Sequence, residues 1–143
     1  MMNSSGVCDM GNEEEILKSC HYVAMVGLSS NPARPSHHVG QYLKDQGYCI
    51  YPVNPAEKTI LGEVCYPDLA SVPGEIDVVD IFRKPEDVPA VVADAIKRGV
   101  KAVWMQEGVI NEEAAEAARK AGLKVVMNKC MLKEHNRLFG SNP

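Results

Sequence analysis

The stretch Tyr22–Gly47, YVAMVGLSSNPARPSHHVGQYLKDQG, reads in order as a strand, a loop and a helix. Tyr22 to Val26 is an apolar run closed by a single glycine, Gly27. A polar loop punctuated by prolines follows. Val39, Tyr42 and Leu43 then share one face of a helix that Gly47 is placed to end. Such strand-loop-helix entries hold phosphates in many nucleotide-binding proteins, because the helix N-terminus presents free N–H groups. This loop, however, carries serines and an arginine instead of the glycines a dinucleotide site uses.

The rest of the chain repeats the alternation. Short, nearly continuous apolar runs at 22–28, 48–53, 77–82, 102–105 and 124–128 have the character of parallel strands buried on both faces. Between them, Val88, Val91, Val92, Ala95 and Ile96 form a helical stripe ending at Gly99, with Pro89 tolerable in the first turn. Another helix starts at the cap candidate Asn111, with Glu112 and Glu113 at its positive end, and runs to Gly122. A short helix EEEILKSC precedes the first strand, and CMLKEHNRLF forms a last one. The pattern predicts a single α/β, Rossmann-like, doubly wound domain with a mainly parallel five-stranded sheet and right-handed crossovers. It places a flexible N-terminus at 1–10 and the domain at 11–143.

Composition narrows the function class. The chain has 143 residues, 45% hydrophobic and 24% charged, with a net charge of −4. That balance argues against a nucleic-acid scaffold with a dominant basic face. No apolar run approaches the roughly 20 residues of a membrane span, and the N-terminus lacks a signal-like apolar core. The five cysteines, Cys8, Cys20, Cys49, Cys65 and Cys130, show no metal-finger spacing. They read as reduced thiols of a cytoplasmic protein.

In a doubly wound sheet, ligands sit outside the carboxyl ends of the strands at the switch point, so four loops matter. The first offers Ser29, Ser30, Arg34 and Ser36, with Ser36 a candidate helix cap and Arg34 a phosphate donor. An ordinary solvated loop with a proline turn is the plainer alternative. The second ends its strand in Val53, Asn54 and Pro55 where an NAD site would place an acid, and Lys58 beyond it suits an extra phosphate on the ribose. The third places Arg83 and Lys84 side by side, so cations gather on one rim of an acidic chain, as a polyanionic ligand requires. The fourth contributes Gln106, Glu107 and Gly108. Glu107 lacks a partner base, which favours a loop-shaping role over a catalytic one. Cys130, Glu134 and His135 in CMLKEH lack the third group that a metal site or an activated thiol needs, so Cys130 reads as a packed, apolar side chain.

The segments VGLSSNPARPSHHVGQYLKDQGYCIYPVNP, GEVCYPDL, DIFRKPEDVP, AVWMQEGV and KVVMNKCMLKEH together resemble the small bacterial and archaeal coenzyme A-binding proteins. These in turn resemble the CoA-binding domain of the succinyl-CoA synthetase α subunit. The resemblance covers most of 15–140. It implies that Gly27, Ser29, Ser30, Arg34, Pro35 and Ser36 hold the CoA pyrophosphate. It further implies that Val53, Asn54, Pro55 and Lys58 flank the adenosine 3′-phosphate end. Phe82, Arg83 and Lys84 would line the nucleotide, and Gln106, Glu107 and Gly108 would approach the pantetheine. The resulting expectation is a protein that binds CoA or an acyl-CoA, with no catalytic residues, metal, nucleic acid or membrane. A homodimer or a synthetase-like partner chain is compatible with it. A CoA-binding component of an acyl-CoA synthetase is the second expectation, and an NAD(P)-dependent oxidoreductase is a third that the absent acid and glycines disfavour.

Overall fold

The computed structural model describes residues 12–140, so the expectation for 1–10 lies outside the described residues. Helix α1 (Asn12–Ser19) leads into strand β1 (Tyr22–Val26), helix α2 (Pro35–Asp45) and strand β2 (Cys49–Val53). Two short strands, β3 (Thr59–Ile60) and β4 (Glu63–Val64), precede β5 (Val78–Ile81), α3 (Val88–Arg98) and β6 (Ala102–Met105). The chain continues through α4 (Glu112–Lys120), β7 (Lys124–Met127) and α5 (Met131–Phe139).

The main sheet has the order β2-β1-β5-β6-β7, and every pairing in it is parallel. Its five strands are the five apolar runs. They are apolar on both sides because both faces are covered, as expected for strands joined by helical crossovers. One face packs Ile16 and Leu17 of α1, Val39 and Leu43 of α2, and Met131 of α5 against Met25 and Trp104. The other packs Val88, Val92 and Ala95 of α3 with Ala114, Ala115 and Ala118 of α4 against Val79 and Val103. Small alanines on α4 let that helix lie close to the sheet.

The helix ends follow the local chemistry. Asn111 caps α4 by accepting the Ala114 N–H at 2.9 Å, and Gly99 terminates α3 in the left-handed conformation. At the opposite, amino end of the sheet, Asp77 accepts the His21 and Tyr22 N–H groups at 2.7 and 3.0 Å and pairs with Lys101 at 3.2 Å. Burial alone would raise its carboxyl, but those two N–H groups and Lys101 outweigh it and hold the group below its ordinary value.

The antiparallel hairpin β3–β4 was not anticipated. Its turn residues, Leu61 and Gly62, both have positive φ (57° and 77°), the pattern of a tight hairpin turn. Two-residue strands are too short to carry a periodic signal. After the hairpin, Tyr66 bridges Val53 in parallel and so covers the outer edge of β2.

Candidate functional site

The sheet order reverses between β1 and β5, and a cleft opens there, at the carboxyl ends of the strands. It has a volume of about 570 Å³. Gly27, Ser29, Arg34, Pro35, Ser36, Phe82, Arg83, Lys84, Gln106, Glu107 and Gly108 all line it. Three of the four loops therefore converge on one concavity.

The first loop is wound on itself. Gly27 leaves β1 at φ 93°, and a Cβ there would lie 2.5 Å from the Phe82 carbonyl oxygen and 3.1 Å from Arg83 Cδ. Both the backbone conformation and the close approach of the β5 loop therefore require glycine. The Ser29 N–H donates to Ser36 Oγ at 3.0 Å, and the Asn31 N–H donates to Ser29 Oγ at 3.0 Å. Ser36 consequently does not cap α2, contrary to expectation. Arg34 is the capping position, without a side-chain cap, and Pro35 occupies the first turn. Proline has no N–H and His37 donates its own to the Arg34 carbonyl at 3.1 Å. The helix start thus offers fewer free donors than a bare N-terminus.

Cations crowd this rim. Arg83 pairs with Asp87 at 3.1 Å, with both side chains about 40% exposed. Arg34 and Lys84 are exposed and have no ion-pair partner among the described residues. At the other end of the cleft, Gln106 is buried and its Oε1 accepts the Met131 N–H at 3.1 Å, which ties the β6 loop to the start of α5. The Gly108 N–H donates to Asn128 Oδ1 at 2.7 Å, joining the β6 and β7 loops. Glu107 pairs with Lys133 at 3.0 Å, a loop-shaping contact.

The remaining expected residues lie elsewhere. The Ser30 hydroxyl donates to Glu57 at 2.8 Å and does not line the cleft. Asn54 clamps two loops, donating to the Leu28 carbonyl at 3.0 Å and accepting the Ala56 N–H at 2.9 Å. Lys58 is exposed beyond it. Val53 and Pro55 line a second, smaller cavity, to which Arg83 also contributes. The sequence reading missed Val39, Val109 and Cys130, all of which face the main cleft. Cys130 was expected to be packed away. It is half-buried at the cap position of α5, because the helix begins one residue later than the periodicity suggested. Glu134 pairs with Arg137 at 2.7 Å, and His135 is buried against the Tyr42 hydroxyl at 2.8 Å, where burial lowers its imidazole below the ordinary value. The CMLKEH cluster therefore divides in three directions and forms no joint site.

The matching family model, described as CoA binding domain, spans residues 21–136. The chain belongs to the CoA-binding domain family. It is 37% identical over 122 residues to the uncharacterized protein YneT of Bacillus subtilis, covering 85% of this chain and 90% of that one. It is 31% identical to the acetate–CoA ligase [ADP-forming] II of Archaeoglobus fulgidus over 84% of this chain, which spans only 18% of the ligase. Among solved structures, a hypothetical protein from Pyrococcus horikoshii OT3 superposes with a TM-score of 0.90 at 41% identity, covering 98% of this chain and 100% of that one. This CoA-binding domain is therefore homologous to a domain of acyl-CoA synthetases, and its parallel α/β architecture is that of its structural neighbours.

Proposed function

We propose that the chain binds coenzyme A, or a thioester of it, across the carboxyl ends of the strands and carries no complete catalytic constellation of its own. The observation that carries this reading is the convergence of Arg34, Arg83 and Lys84 with the Ser29 and Ser36 hydroxyls on one cleft, in a chain of net charge −4. Charge-assisted donors of this kind suit phosphates, and guanidinium groups bind them in bidentate fashion. Gly27 supports the fit, since any side chain there would close the approach between the first and third loops. The cleft volume also falls within the range of about 300–1,000 Å³ common to small-molecule sites.

In this reading the pyrophosphate lies over the first loop, and the pantetheine arm runs past Gln106, Glu107 and Gly108 towards Val109 and Cys130. The adenosine 3′-phosphate end lies towards Val53, Asn54, Pro55 and exposed Lys58. Asn54 also argues against NAD, because it stands where an acid would take the ribose hydroxyls and both ends of its amide are already bonded. No histidine hydrogen-bonds Cys130 or Glu107 among the described residues, so neither has the base that nucleophilic or general-base chemistry would need. Mass spectrometry of the small molecules released from freshly purified protein tests the assignment. Recovery of CoA or an acyl-CoA supports it, and recovery of NAD instead overturns it.

A second reading, a CoA-binding part of an acyl-CoA synthetase assembled with a partner chain, is favoured by one fact. The ADP-forming ligase aligns over 84% of this chain while extending far beyond it. Co-purification with a larger chain that supplies the phosphorylated residue would support that reading.

A further inference from the structure

Cys130 stands apart from the other described cysteines. Cys20 and Cys65 are buried, and burial pushes both thiols up, while Cys49 is exposed at the amino end of β2 beside His21. Among the described cysteines Cys130 alone lines the main cleft, half-buried at the start of α5. Its side chain makes no hydrogen bond among the described residues, so the sulfur is left without a partner.

A second observation marks this end of the cleft for a ligand. Gln106 is 5% exposed and lines the same cleft. Its Oε1 accepts the Met131 N–H at 3.1 Å, but its Nε2 has no hydrogen-bond partner among the described residues. A buried amide donor left unpaired costs free energy until an acceptor arrives. The amide carbonyls of a pantetheine arm are such acceptors, and the arm of CoA ends in a thiol. Met131 follows Cys130 directly, so the side chain that meets the arm is also bonded to the backbone beside the sulfur. The Lys133 ammonium, paired with Glu107 at the same end of the cleft, is close enough to interact with a charged Cys130 sulfur.

We propose that Cys130 exchanges with the disulfide of coenzyme A, so that the cleft holds CoA as a reversible mixed disulfide. The proposal rests on the CoA reading of the cleft. The Cys130 thiolate attacks one sulfur of the CoA disulfide, and the bond between the two CoA sulfurs breaks. A new S–S bond joins Cys130 to the CoA in the cleft. The second CoA departs as a thiolate and takes up the proton that Cys130 released. Cys130 is oxidised and the departing CoA reduced, so no further oxidant enters. Exchange needs the thiolate but no base positioned by a third group. No other described cysteine lines the cleft to resolve the adduct, so it persists until a small thiol attacks it.

Intact-mass spectrometry of the full chain after incubation with CoA disulfide tests this, with glutathione disulfide as the comparison. The expected product is a single adduct, equal to CoA less the hydrogens lost in forming the S–S bond. Dithiothreitol removes it, and peptide mapping places it on Cys130. It forms at least about tenfold faster than the glutathione adduct, because the phosphate rim holds the CoA disulfide against the sulfur. Excess adenosine 3′,5′-bisphosphate slows its formation, and Cys130→Ser abolishes it. Serine is favourable at a helix cap, so that variant folds. An adduct on another cysteine, or equal rates with the two disulfides, overturns the proposal. Absence of any adduct on a protein that binds CoA in calorimetry under reducing conditions also overturns it and leaves the CoA reading standing. Failure of CoA to bind in that calorimetry, with no adduct formed, overturns the reading beneath it as well.

Discussion

Arg34 and Arg83 approach the cleft from different loops, one before α2 and one after β5. Both are exposed, and the Arg83–Asp87 pair is a surface contact worth little to stability. In the proposed reading their contribution falls on ligand binding. Arg34→Ala or Arg83→Ala weakens CoA roughly tenfold or more, at about 1.5–3 kcal/mol per charge-assisted bond, with the apo melting temperature nearly unchanged. Calorimetry and thermal melts on the same samples check both halves of that statement. Asp80 presents the reverse case. It lies in the middle of β5 between Met25 and Trp104, fully buried, with neither carboxylate oxygen bonded among the described residues. Burial pushes its carboxyl well above the ordinary value, so the native state holds a proton that the unfolded chain releases above pH about 3.9. The stability associated with that proton is fully present below this pH and is lost as pH rises towards the folded value. Asp80→Val removes that pH dependence and stabilises the protein at neutral pH by about 1–3 kcal/mol, measured by urea denaturation across pH. Lower stability of the valine variant at pH 7 would reveal a hydrogen-bonding role for the carboxyl.

The elements explain why some of the site was legible and some was not. Strands β1, β2, β5, β6 and β7 announce themselves because each is apolar on both faces, and the switch-point rule then points to the loops that line the cleft. Side-chain direction carries no such signal. Ser30 lies one residue from Ser29 yet turns to Glu57, and Asn54 turns inward to hold loops together. Cys130 could not be placed because one residue decides whether it starts a helix or precedes it. The loops are coupled to each other through Gln106–Met131 and Gly108–Asn128, and Trp104 Nε1 donates to the Lys129 carbonyl at 2.8 Å, next to Cys130. Trp104 is wholly buried, as its strand position predicted, and does not line the cleft. In the proposed reading, ordering of the β6 and β7 loops over the pantetheine arm would reach it through that carbonyl. Saturating CoA changes its fluorescence, and adenosine 3′,5′-bisphosphate at matched absorbance changes it much less. Equal responses would mean that the fourth loop does not meet the pantetheine arm.

At the scale of the molecule, a cationic rim is set on an acidic α/β domain, and no helix among the described residues is long and apolar enough to cross a membrane. The chain alone, incubated with ATP, a carboxylic acid and CoA, should form no acyl-CoA and no phosphohistidine. Phosphorylation of any of its four histidines would instead favour synthetase chemistry within this chain. What most distinguishes a CoA site from a dinucleotide site here is the number of phosphates the rim can engage, since Arg34, Arg83 and Lys84 gather at the cleft and Lys58 lies beyond Asn54. Calorimetric titration of the purified protein with CoA, 3′-dephospho-CoA and NAD measures that directly. CoA should bind most tightly, 3′-dephospho-CoA more weakly, and NAD most weakly of the three. NAD binding as tightly as CoA would contradict the assignment of this cleft to coenzyme A.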